Sequence, residues 1–340
     1  MLILRPVRFS DLPAIEHLAV SAGNRLTTLP NNRDHLAELI NSTQKSLIQD
    51  VDSPTYQSYH FVLEDTDSTE ILGISGVEAN VGATSPFYSF RCDTLQHQSA
   101  ELQIRNTINT LTLCQDYEGA TRLYTFFLAN SELPEYALKL LSLARLMFIN
   151  QHPLRFNDRL MLELQGEVDE QQQSPFWQAL GQHFFSMDFK RANYLIGINS
   201  KGFIADLMPR HPVYVPLLNT QAQQAMGKVR PDMLTVEALL RSIGFKQQGY
   251  ISIFDGGPAL EAKTADISAI EQQFSTTLII DESYREGPGQ PYLISNNQLR
   301  DFRCISASIN PKNITLTASQ AQQLKLAAGD TLYLLALNVN

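Results

Sequence analysis

The sequence predicts a mixed α+β or α/β fold, a sheet carrying helices on its faces, followed by a smaller β-rich unit. Three observations carry that reading. Segments with apolar residues at helical spacing interleave with short alternating or continuous apolar runs, which is the pattern of layered helices and strands. The 340 residues are 44% hydrophobic, enough for more than one small core. Near residue 276 helical spacing gives way to short strands and turns, which predicts a first domain over 1–275 and a small β-barrel-like module over 276–340.

The elements follow in order. Leu2, Leu4 and Val7 mark a first strand, and Ser10 and Asp11 offer an N-cap to a helix carrying Leu12, Ile15, Leu18 and Ala19 on one face. A second helix is expected over 32–47, with Leu36, Leu39, Ile40 and Leu47 together. Strands over 60–64 and 71–81 flank a polar turn and read as an antiparallel hairpin. A loop holding Pro86, Phe87, Tyr88 and Phe90 leads to strands over 111–114 and 123–129, then to a long helix over 132–150. Beyond it come a strand over 160–164, a helix over 175–185 and a helix over 235–243 closed by Gly244. A strand over 250–254 is broken by the turn Asp255-Gly256-Gly257-Pro258. Short strands over 278–280, 291–295, 302–307, 314–316 and 331–337, with one helix near 319–324, make up the tail.

Charge and cysteine content narrow the function classes. A net charge of −9 argues against a nucleic-acid binder, which needs a basic face to neutralise phosphates. Only 18% of residues are charged, a low share that points to surface buried against another subunit. An anionic ligand would then need a local positive site. The run Met1-Leu2-Ile3-Leu4-Arg5-Pro6 is too short for a signal h-region, and no apolar stretch reaches the ~18 residues of a membrane helix. Cys92, Cys114 and Cys304 are scattered, with no CxxC spacing, so they are read as reduced and buried in a cytoplasmic protein with no metal site and no membrane association.

Several segments carry a resemblance. They are Met1-Leu2-Ile3-Leu4-Arg5-Pro6, Tyr59-His60-Phe61-Val62-Leu63-Glu64-Asp65, and Asp169-Glu170 through Ser174-Pro175-Phe176-Trp177 to Phe184-Phe185-Ser186-Met187-Asp188-Phe189. Phe203-Ile204-Ala205-Asp206-Leu207-Met208-Pro209 and Ile253-Phe254-Asp255-Gly256-Gly257-Pro258 complete the set. In this order they resemble the arginine N-succinyltransferase family, a branch of the GNAT acyltransferase superfamily. The likeness spans essentially the whole chain and is greatest to the alpha-type subunit of heteromeric arginine/ornithine succinyltransferases. It implies a GNAT-like mixed antiparallel–parallel sheet and transfer of a succinyl group from succinyl-CoA to the α-amine of L-arginine or L-ornithine. It also implies no permanently bound cofactor and a homologous partner subunit or a homo-oligomer. By resemblance, Phe126 on the strand over 123–129 supplies a backbone contact to succinyl-CoA, and the helix opening near Glu132 faces the pyrophosphate.

Local chemistry pulls against part of that picture. A pyrophosphate cradle uses small residues and open amides. The stretch Ala129-Asn130-Ser131-Glu132-Leu133-Pro134-Glu135-Tyr136-Ala137-Leu138-Lys139 has no glycine, loses an amide at Pro134, and places Glu132 and Glu135 at the helix's positive end. The reading is a helix start capped for stability that does not bind CoA in the standard way. The family's proton-donor His is replaced by Arg230 in Gly227-Lys228-Val229-Arg230-Pro231, and a guanidinium stays charged near neutral pH. Arg230 is either an electrostatic aid to a thiolate or carboxylate, or a surface cation before a proline turn. Asp255 is either part of a tight turn or a partner for the substrate guanidinium. His183 and His211 are read as structural or exposed, and Phe176, Trp177, Phe184 and Phe185 as core. Three functions stay open. The chain is an alpha-type catalytic subunit whose partner holds the intact CoA site, a non-catalytic interaction or regulatory subunit, or a stand-alone succinyltransferase aided by Arg230.

Overall fold

The computed structural model describes every residue except 24–25, 130–132, 199–201, 282–288, 312–313 and 338–340. The first half runs β1 (Leu2–Pro6), α1 (Leu12–Ala22), α2 (Arg33–Ile48), β2 (Ser58–Asp65), β3 (Ile71–Glu78), β4 (Ser89–Ser99), β5 (Ile104–Cys114), β6 (Thr121–Leu128), α3 (Glu135–Gln151) and β7 (Arg159–Glu163). Short helices follow: α4 (Pro175–Ala179), α5 (Gly181–Phe185), α6 (Phe189–Ile198) and α7 (Gly202–Leu207). Then come β8 (Val213–Tyr214), α8 (Thr220–Ala225), α9 (Leu234–Ser242), β9 (Lys246–Ser252) and β10 (Pro258–Lys263). The last stretch holds α10 (Ser268–Glu271), β11 (Phe274–Thr277), β12 (Ile279–Ile280), β13 (Gln290–Ser295), β14 (Cys304–Ile309), β15 (Thr315–Leu316), α11 (Ala318–Gln323) and β16 (Thr331–Ala336).

Fourteen strands join in one sheet, in the order β11-β16-β13-β14-β1-β2-β3-β6-β7-β10-β9-β4-β5-β8. Its pairings among the described residues are antiparallel except β6–β7, which are parallel and linked through α3 as a crossover. Alternation along β2 decides which face each side chain reaches. Phe61 and Leu63 join the α3 core with Leu140, Leu141, Ala144 and Phe148, whereas Val62 packs under α1 and α2 with Ile15, Leu36 and Ile40. The helices therefore sandwich the central strands. The C-terminal strands are continuous with this sheet, since Ile3 and Leu4 of β1 pair with Ile305 and Cys304 of β14. Ile3 also sits in the core of Ile294, Ile305 and Leu334.

Several expectations shift. The loop expected around Phe90 is instead the start of a long hairpin, Ser89–Ser99 paired with Ile104–Cys114. Most of its outer residues are exposed on both faces, so no apolar period announces it. Cys92, expected buried, is exposed on this hairpin; Cys114 is half-buried, Cys304 is buried, and all three are free thiols. The helix expected over 175–185 breaks at Leu180 (φ −129°, ψ −74°) into α4 and α5. A Cβ at Gly181 would lie 2.3 Å from the Trp177 ring, so the chain turns around the indole. Phe184 consequently faces solvent, 40% exposed, while Phe176, Trp177 and Phe185 are core. The helix expected from residue 132 starts at Glu135; Glu132 lies outside the described residues, and Pro134 supplies no side-chain cap.

Candidate active site

Strands β6 and β7 pair only at Thr121–Leu160 and Arg122–Met161 and then part. The gap opens into a cleft of about 320 Å³, lined by Tyr124, Thr125 and Phe126 on one side and by Glu163, Leu164 and Gln165 on the other. A separation of this kind uncovers backbone groups that a closed sheet would pair.

A bulge sharpens the opening. The β3–β6 register runs Ile74–Phe127 and then Gly76–Tyr124, so Thr125 and Phe126 together face Ser75. Thr125 has φ +49°, the left-handed region that a β-branched residue rarely adopts. Such backbone strain costs roughly 1–3 kcal/mol and persists where surrounding structure holds it. Here the hold is firm: Thr125 is 2% exposed, wedged between β3 and the cleft. Phe126, the residue the sequence points to for a backbone contact, thus stands on the bulge and lines the cleft.

Charged groups converge on the same gap. Arg145 comes from the middle of α3, where it is 3% exposed. Its Nη1 donates to the Gly76 carbonyl at 3.3 Å and its Nε to Ser142 at 3.3 Å, with the guanidinium 5.5 Å from the Phe126 ring centroid. Burial pushes it down to about 9, and no acid among the described residues offsets that. It remains a cation at neutral pH. Arg122 bridges Glu78 at 3.7 Å and Glu163 at 3.9 Å and lies over the Phe87 and Tyr124 rings. His60 and His35 line the other side, and burial lowers both imidazoles, His60 to about 3. Burial raises the Tyr124 phenol.

The remaining sequence candidates fall nearby in different settings. Asp255 lines the cleft, but its Oδ2 accepts from the Gly166 amide at 2.8 Å and its Oδ1 from the Gly257 amide at 2.9 Å. A Cβ at Gly257 would sit 2.1 Å from the Leu164 carbonyl, so glycine is what lets these two loops touch. Arg230 is outside the main cleft, in a small crevice shared with Asp255. Its Nε meets Asp232 Oδ1 at 2.5 Å and its Nη2 meets Oδ2 at 3.0 Å. His183 and His211 are exposed. At the start of α3, Glu135 pairs with Lys139 at 2.8 Å on the surface.

Comparisons with known proteins agree with this architecture. A family model described as "Arginine N-succinyltransferase beta subunit" matches residues 2–269, and its C-terminal domain model matches 278–336. This chain belongs to the arginine N-succinyltransferase family. The arginine N-succinyltransferase subunit alpha of Pseudomonas aeruginosa is 38% identical over 341 residues, covering 99% of this chain and 100% of that one. The arginine N-succinyltransferase of Yersinia pseudotuberculosis is 38% identical over 348 residues, covering 99% and 98%. The solved structure of arginine/ornithine succinyltransferase subunit AI from Pseudomonas aeruginosa superposes with TM-score 0.90 at 37% identity, over 99% of this chain and 98% of that one. The GNAT-like fold and the transferase class expected from sequence stand on these matches.

Sequence reasoning left Arg145, His60, Thr125 and Glu163 without a site role. Two carry a visible signal. Arg145 is a lone cation within an apolar helical run, and His60 interrupts the apolar strand around Phe61 and Val62. Thr125 and Glu163 have none, because the bulge and the separation of β6 from β7 are tertiary events.

Proposed function

We propose that this chain transfers the succinyl group of succinyl-CoA to the α-amine of L-arginine, acting in the cytoplasm as an alpha-type subunit beside a homologous chain. The observation that carries this reading is the strained bulge at Thr125 opening into the gap between β6 and β7. In the step envisaged, the neutral amine attacks the thioester carbonyl and forms the new C–N bond. The carbonyl electron pair moves to oxygen, where the Phe126 N–H would steady it. Collapse breaks the C–S bond, the thiolate takes up a proton, and the amine nitrogen loses one. Glu163, Glu38 and Asp255 supply the acidic lining suited to a substrate guanidinium. Asp255, already held by two amides, would act from a fixed position.

Two features favour reliance on a partner. The first turn of α3 begins at Pro134 and Glu135 without glycine, which weakens a pyrophosphate cradle. Arg230, in place of the family's donor His, is engaged with Asp232 and serves electrostatically rather than as an acid. The same features support the second reading, a non-catalytic subunit of the same fold. We also propose a division near residue 276 into an acyltransferase unit, 1–275, and a C-terminal unit, 276–340, a boundary supported by the break between the two family-model matches.

One experiment separates these readings: succinyl-CoA binding by calorimetry and turnover with arginine and ornithine, for the chain alone and after adding a homologous partner chain. Turnover that appears only with the partner is the expected result. Micromolar CoA binding and turnover by the chain alone would remove the need for a partner. Inactivity in both settings would leave the non-catalytic reading.

A further inference from the structure

We propose that His60 is a substrate-binding residue, a neutral imidazole whose Nε2–H donates to a substrate carboxylate in the cleft; the proposal rests on the acyl-transfer reading above. His60 lies on β2, 2% exposed, with its side chain under α2. Thr43 on α2 decides its tautomer. The Thr43 hydroxyl oxygen accepts from the His60 backbone N–H at 3.1 Å and lies 3.0 Å from His60 Nδ1. A hydroxyl has one proton to give, and Nδ1 is the acceptor within its reach among the described residues. Nδ1 therefore accepts, and the ring proton resides on Nε2.

That Nε2 is buried and has no hydrogen-bond partner, although His60 lines the cleft. A buried donor left unmatched costs stability unless something fills it. Gly76 leaves the room the ring needs: a Cβ there would lie 3.1 Å from Nε2 and 2.9 Å from both His60 Cδ2 and Tyr124 Cε1. His35 is itself held low by burial, and burial together with His35 keeps His60 uncharged. An uncharged, buried donor suits an acceptor-only oxygen. Two such groups take part in the reaction, the α-carboxylate of the amino acid and the carboxylate at the end of the succinyl chain. His60 packs edge-on against Tyr124, with ring centroids 5.1 Å apart, one residue before the bulge. Either carboxylate lies within a few bonds of the reacting centre, so experiment must separate them.

The test uses His60→Phe and His60→Gln in the full chain, with the homologous chain added where turnover needs it. Calorimetry compares arginine with argininamide, and transfer assays compare succinyl-CoA with butyryl-CoA, which has the same chain length without the carboxylate. His60→Phe should weaken one carboxylate-bearing substrate roughly 10- to 100-fold and its carboxylate-free analogue less than about twofold. His60→Gln, which keeps an amide donor, should recover most of that loss. A selective effect on arginine assigns the α-carboxylate; a selective effect on succinyl-CoA assigns the succinyl chain. Equal losses across both pairs, with glutamine no better than phenylalanine, would overturn the proposal, as would a wild type indifferent to both carboxylates. A wild type that binds arginine selectively yet acylates nothing would refute the acyl-transfer reading while leaving His60 testable by calorimetry.

Discussion

Replacing Arg145 by Met should stabilise the free protein while impairing transfer. The guanidinium is buried and shares no ion pair with an acid among the described residues, and burial lowers it to about 9. That fall corresponds to about 4–5 kcal/mol against the charged form. On the other side stand two long hydrogen bonds, to the Gly76 and Ser142 carbonyls at 3.3 Å each, together about 1–3 kcal/mol. Leaving the Gly76 carbonyl short of a donor adds about 1 kcal/mol. Methionine fills similar space without charge, so the balance favours the variant by about 1–2 kcal/mol, in line with swaps of buried ions for apolar side chains. For a chain of this length, that is a rise in Tm of roughly 1–3 °C. Calorimetric and urea unfolding of wild type and Arg145→Met would measure it. Succinyl transfer should fall at least about tenfold, because the guanidinium holds the Gly76 carbonyl beside the bulge that presents Phe126. A Tm several degrees lower would refute the reasoning, since the two hydrogen bonds would then outweigh the burial of charge.

Three further outcomes are expected. The folded imidazoles of His60 and His152 are held at about 3 and about 4, below their unfolded value, so the unfolded chain binds the extra protons. Their stability contribution is complete above about pH 6.5 and drains away as pH falls toward 3; His60→Gln should flatten that slope in unfolding titrations. Arg5 grips Asp11 through Nη1 to Oδ2 at 2.7 Å and Nη2 to Oδ1 at 3.0 Å, with both side chains buried. Arg5 Nε also pairs with Glu64, so Asp11→Asn removes the more buried of two counter-charges and should lower stability by about 1–3 kcal/mol in urea denaturation. Gly76→Ala places a methyl 2.9 Å from both His60 and Tyr124, so a cost of about 1–3 kcal/mol and a loss of arginine affinity in calorimetry should appear together.

Local pattern carried the central elements. Leu36, Leu39 and Ile40 fall on the buried face of α2 as their spacing predicts, and the long helix expected before Asn150 is α3, whose residues 140–149 are all buried. Gly244 closes the chain after α9 with φ +114°, a conformation that glycine accepts. Where pattern failed, another force decided. The outer part of the β4–β5 hairpin faces solvent on both sides, so hydrogen-bond pairing rather than burial holds it and no apolar period marks it. The break between α4 and α5 follows from the Trp177 ring occupying the space over Gly181, a packing event invisible to helical spacing.

The sequence by itself determined the layer order, the family, the reaction class, and the strand that bears Phe126, because apolar period and residue identity are local properties. It also located an acidic, glycine-free stretch ahead of α3, and an acidic chain that would need a local positive group for any anion. Only the tertiary structure decided which cations line the cleft. Arg122 and Arg145 both do, the latter lying ten residues into α3 and brought to the bulge by the packing of that helix on β3 and β6. The gap between β6 and β7, the left-handed Thr125 and the unpartnered Nε2 of His60 have the same origin. Each depends on which strands pair and where pairing stops, and that is a balance among distant segments which no single segment contains.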